Sequence, residues 1–123
     1  FQELRLFPEL TALENVLLKN RLTGYKTHRE ILNLFETAGI ADKANERTDT
    51  LSFGQQQRVA FIRSLCQPFD FLLLDEPVSH LDEANAEVLA SLLNEEAVRQ
   101  EAGILVTSVG TTLPLTYDHT YKL

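Results

Sequence analysis

The 123 residues carry 18 acidic against 11 basic side chains, a formal charge of −7, and 44% of them are hydrophobic. That apolar content supports one core of ordinary size for a soluble chain, while no apolar run approaches the roughly 20 residues that span a bilayer. The acidic balance argues against gripping a nucleic-acid backbone, which takes clustered Lys and Arg, and against an electrostatic membrane anchor. The single cysteine, Cys66, excludes an internal disulfide and fits a reducing, cytoplasmic setting.

In chain order, FQELRLFPEL mixes bulky apolar residues with a proline and reads as irregular or extended. Thr11 with Glu14 has capping-box spacing and predicts a helix with Leu13, Val16 and Leu17 on its apolar face and Gly24 as its stop. Thr27 with Glu30 predicts a second helix, burying Ile31, Leu34, Phe35 and Ala38, with Gly39 ending it and Ile40 packing back. The polar ADKANERTDT predicts a turn or short helix. A third box, Ser52 with Gln55, opens a helix that turns Val59, Ile62 and Leu65 inward and stops before Pro68.

The second half reads as strand, helix, strand. Phe71 to Leu74 is a continuous apolar run, as in a parallel strand buried on both faces. A helix from about Glu83 towards Ala102 carries Ala86, Leu89, Leu93 and Ala97 as its buried stripe, with Gly103 closing it. Ile104 to Thr107 predict another buried strand, and the alternating tail from Tyr117 to Leu123 a third. The order is α/β, with a helical block ahead of the sheet.

Two stretches carry chemistry. LSFGQQQR, Leu51 to Arg58, sets a serine, a glycine and a glutamine at a helix start, where unpaired N–H groups attract phosphate. Ser52 adds a hydroxyl donor, and Gly54 lets a phosphate approach the backbone. The plainer reading is that Ser52 and Gln55 cap a helix, and capping does not exclude phosphate contact. FLLLDEP, Phe71 to Pro77, ends a strand in Asp75 and Glu76, at the carboxyl edge where open α/β sheets bind ligands. An aspartate there can hold Mg²⁺ and the next carboxylate can orient or deprotonate a water.

In this order and at this separation the two stretches resemble the signature motif and Walker B segment of the ABC-type ATPases. The resemblance implies a partial P-loop NTPase fold over residues 1–123. A helical subdomain spans about 10–51; the signature helix, Walker B strand and C-terminal α/β part fill 52–123. It makes Asp75 the Walker B aspartate and Glu76 the catalytic glutamate. It implies that Leu51, Ser52, Phe53, Gly54 and Gln55 contact the γ-phosphate of ATP held by a second ATPase subunit. Gln2 takes the Q-loop place, as a Mg²⁺ ligand that senses the transmembrane partner. SHLD resembles the D-loop, with Ser79 and Asp82 at the subunit interface, although Asp82 also reads as a helix cap.

Two departures stand out. Phe53 replaces the second residue after Leu51 in the family's L-S-G-G-Q, adding bulk beside the phosphate. Ser108 falls where the family has a histidine on the γ-phosphate; it is shorter and cannot donate as an imidazolium, so slow hydrolysis is expected. Gly110 and Pro114 are expected to break the helix that follows. His28, His80 and His119 lack metal-ligand spacing and read as surface residues.

The resemblance implies a subunit that hydrolyses Mg-ATP to power a membrane permease, working as a homo- or heterodimer at the cytoplasmic face of the membrane, with no nucleic-acid partner. The alternative is a degenerate, non-hydrolytic module that lends its signature to a partner. No G-x-x-x-x-G-K-[ST] phosphate loop occurs in the 123 residues, Phe1 stands first and there is no methionine. From these the expectation is that Phe1 is internal to a longer product and that this chain alone turns over no ATP. Absent central strands are expected to leave apolar surface uncovered.

Overall fold

Capping boxes fix where three of the helices begin. The computed structural model describes residues 4–75, 83–107, 114, 115, 117 and 118. In it Thr11 Oγ1 accepts from Glu14 N–H at 3.0 Å while Glu14 Oε1 accepts from Thr11 N–H at 2.9 Å, opening α1, Ala12–Thr23. Thr27 and Glu30 repeat the arrangement at 3.1 and 3.0 Å ahead of α2, His28–Thr37. Ser52 and Gln55 do so at 3.2 and 3.0 Å ahead of α3, Phe53–Ser64. The backbone N–H groups of Thr11 and Thr27, and after them the threonine hydroxyls, hold the Glu14 and Glu30 carboxyls below their ordinary range.

Gly24 ends α1 in the left-handed region, φ 59°, with its N–H donating to Asn20 O. Ile40, 1% exposed, turns back over α2 through its N–H to Phe35 O at 3.0 Å. The polar stretch after it forms two single 3-10 turns, Ala41–Lys43 and Thr48–Thr50.

β1, Phe71–Asp75, α4, Glu83–Gln100, and β2, Gly103–Thr107, follow. The strands are parallel, as a helical crossover requires, in a register pairing Phe71 with Gly103 and Asp75 with Thr107. The expectation of burial on both faces fails here. Leu72 and Leu74 are buried, whereas Phe71, Leu73 and Leu105 are 71%, 68% and 57% exposed. Strand side chains alternate between faces, and among the described residues only one face joins the core. The apolar surface expected to be uncovered is therefore present.

A second expectation is corrected at the end of α4. Glu101, not Gly103, leaves the helix in the left-handed region, φ 54°. Gly103 instead opens β2, and a Cβ placed on it would lie 2.8 Å from two ring carbons of Phe71. Its smallness answers the ring across the sheet. Tyr117 and Asp118 lie in no strand; the rest of the expected third strand, and Gly110, fall outside the described residues.

Among the described residues one continuous cluster forms the core, with Val16 from α1, Ile31 and Phe35 from α2, Phe61 and Ile62 from α3, Leu74 from β1 and Leu89 and Leu93 from α4. The expected stripes of α2, α3 and α4 all contribute to it. On α1, Val16 is fully buried while Leu13 and Leu17 pack against the cluster partly exposed.

Candidate functional site

The start of α3 is the described part of the phosphate-binding candidate. Leu51 is buried and its N–H donates to Thr48 O at 3.1 Å, anchoring the approach to the helix. Ser52 lies next, exposed, with Oγ as acceptor in the capping box, so its own O–H remains to donate. A Cβ built on Gly54 would meet nothing within 4 Å, and its φ is not left-handed. Neither a turn nor internal packing accounts for a glycine there, and the space before it is open to an incoming group. Phe53 is 42% exposed beside that space. A helix N-terminus with a hydroxyl and an open glycine can receive an anion.

Motif reading missed what holds this loop. Asn15, 2% exposed on α1, accepts from Phe7 N–H at 2.7 Å through Oδ1. Its Nδ2 donates to Phe7 O at 3.1 Å, Thr11 O at 3.0 Å and Thr48 Oγ1 at 2.8 Å. Thr48, equally buried, donates through Oγ1 to Leu10 O at 2.8 Å. From α3, Gln56 Nε2 donates to Thr48 O at 3.0 Å and Leu51 O at 3.2 Å. One signal was available: Asn15 falls between Ala12 and Val16 on the buried side of α1, where a polar side chain must find partners.

A second omission is an ion pair. Lys26 Nζ lies 3.0 Å from both carboxylate oxygens of Glu96, with side chains 2% and 4% exposed. It joins the α1–α2 turn to α4. Sequence distance hides it, since 70 positions separate the partners.

The carboxyl end of β1 is Asp75, set beside Thr107 in the sheet register. Glu76, Ser79, Asp82, Ser108 and Gln2 lie outside the described residues. The predicted residues the structure brings together are thus Leu51 to Gln55, on one loop and helix start. Elsewhere, a groove of about 590 Å³ runs between α1 and α3, lined among others by Phe7, Leu18, Leu22 and Arg63. Phe7 is 55% and Leu22 85% exposed. Arg63 donates to Leu4 O at 2.6 Å and Arg5 O at 2.9 Å.

A family model described as "ABC transporter" matches residues 1–79. The phosphate-import ATP-binding protein PhnC of Mycolicibacterium smegmatis is 38% identical over 130 residues, covering 97% of this chain and 49% of its own length. The lipoprotein-releasing system ATP-binding protein LolD of Saccharophagus degradans is 32% identical over 126 residues, covering 100% of this chain and 55% of its own. Among solved structures, the dimeric post-hydrolysis state of the ATP-binding cassette MJ0796 bound to ADP and Pi superposes with a TM-score of 0.71 at 34% identity. It covers 87% of this chain and 50% of that one. The chain spans about half the length of the curated relatives it matches.

Proposed function

The chain belongs to the ABC transporter family, with the partial P-loop NTPase fold of that family's cassettes, and from this premise we propose that it is part of an ATP-hydrolysing subunit that powers transport through a membrane permease. The observation that carries the reading is the start of α3, where Ser52 keeps its own O–H to donate and the space before Gly54 is open to an anion. Two such subunits sandwich ATP, each presenting Leu51 to Gln55 to the nucleotide on the other. Glu76 orients the attacking water. Asp75 and Gln2 offer only oxygen ligands, which suits Mg²⁺, whose charge offsets that on the phosphate oxygens. Asp82 and Ser79 belong to the subunit interface, and Ser108 donates a hydrogen bond to the γ-phosphate. In this reading residues from about 10 to 51 are the helical subdomain, and the subunit meets its permease at the cytoplasmic face of the membrane. The relatives carry different cargoes by name, phosphate in one and lipoprotein in the other. What their names share is ATP binding.

The test separates capping from phosphate contact. Ser52→Asp keeps a good N-cap and favours the helix dipole, yet sets a carboxylate against the γ-phosphate. In the complete ATPase it is expected to cut turnover by about two orders of magnitude with the melting temperature unchanged. Turnover equal to that of the parent protein would falsify the reading. Phe53, bulky and exposed beside Gly54, favours a second reading, a module that no longer hydrolyses ATP but serves a partner. Glu76→Gln decides between the two: it abolishes turnover at a site that hydrolyses and changes nothing in a module that does not.

A further inference from the structure

We propose that the buried Lys26–Glu96 pair is a registration device, which admits one seating of α2 on α4 where apolar packing by itself admits several. The seam between these helices holds a cleft of about 190 Å³, lined among others by Leu34 and Leu92 beside Glu30 and Arg99. Apolar contact is non-directional, and only close shape matching confines it to one arrangement. A seam with room to spare lacks that matching, so Leu34 and Leu92 accept α2 in neighbouring positions. An ion pair does not.

Both ends of the pair are fastened. Asn20 Oδ1 accepts from Lys26 N–H at 2.9 Å and Asn20 Nδ2 donates to Lys26 O at 2.6 Å, which fixes the backbone under the ammonium. Lys26 Nζ then reaches both carboxylate oxygens of Glu96 at 3.0 Å. Across the seam, Gln100 Nε2 donates to Glu96 Oε1 at 3.0 Å and to Gln67 O at 3.3 Å. Gln100 Oε1 accepts from Phe69 N–H at 2.7 Å. One carboxylate thus gathers the α1–α2 turn, α4 and the stretch leading to β1. Sliding α2 along α4 by a single residue, a rise of about 1.5 Å, parts two buried charges that water does not reach. That penalty falls on every seating but one. The pair's net contribution to stability can still be small, because its desolvation offsets much of the attraction in the native seating as well.

The experiment separates seating from stability. Lys26→Met together with Glu96→Leu replaces the pair by apolar groups, and methyl NMR spectra of the complete ATPase report on the seam at Leu34 and Leu92, with Val16 on α1 as the control. The parent is expected to show one resonance per methyl. In the double variant the Leu34 and Leu92 methyls are expected to split, the second set carrying about a tenth of the intensity or more, while Val16 stays single. Single Leu34 and Leu92 resonances in that variant overturn the proposal, since packing then fixes the seating unaided. Splitting that reaches Val16 also overturns it, because it marks a core loosened throughout. So does a parent that already shows two sets at the seam. If the double variant does not fold, Asn20→Ala unfastens the Lys26 backbone at a half-buried position and leaves the ion pair in place. It carries the same expectation and the same refutation.

Discussion

Cys66 shows how strongly one side chain is governed by its surroundings. It is fully buried, with Sγ 3.5 Å from Ile62 O, and desolvation pushes its thiol from 9.0 to about 11. Only the thiolate is a nucleophile, so a rise of two units cuts the reactive fraction near neutral pH about a hundredfold. Iodoacetamide is therefore expected to leave Cys66 unmodified in the folded chain and to label it fully in urea, as read by mass spectrometry. Labelling at equal rates in both would show the site to be open. The sign of the pH effect follows as well. The unfolded thiol ionises near 9, so the contribution of the neutral buried form is complete below that value. It is lost as pH rises through about 11. Cys66 directly follows the buried Leu65 at the end of α3, a place where a small apolar side chain packs inside. The Asn15–Thr48 pair was not legible in the sequence, because its logic is a contact between segments 33 positions apart.

At the level of the element, helix starts were readable and helix ends less so. A capping box is a local code, two side chains answering two backbone groups three residues apart, and all three boxes form as written. The end of α4 differs. The glycine rule pointed to Gly103, but the left-handed residue is Glu101, whose Cβ makes that conformation costly. Replacing Glu101 with Gly is expected to stabilise the chain by about 1 kcal/mol. Gly24→Ala, at φ 59° on α1, is expected to cost about the same. Urea denaturation of the two variants checks both signs at once, and a loss of stability in Glu101→Gly would refute the account of this turn. Strand burial was misread for a related reason. An apolar run reports that both faces are built to be covered, not which residues in hand cover them.

For the whole molecule, the Lys26–Glu96 pair is a buried polar tie between the helical block and α4, and Gln100 Nε2 adds a bond to Glu96 at 3.0 Å. Removing one partner strands a charge in the interior. Glu96→Leu or Lys26→Met alone is thus expected to cost about 3–5 kcal/mol, while the double change recovers most of that loss. Equilibrium unfolding of the four proteins gives the coupling directly; a double variant as unstable as the two losses combined would mean the charges do not act as a pair. Neither residue stood out in the sequence, where each is an ordinary surface type.

The sheet, finally, has a finished side and an unfinished one. Leu72 and Leu74 press into helices drawn from the described chain, whereas Phe71, Leu73 and Leu105 present an apolar strip to the outside. That asymmetry allows an order of construction. The helical side can be built first and act as a mould, its strands already in register, against which any further strand or helix is cast from the opposite direction.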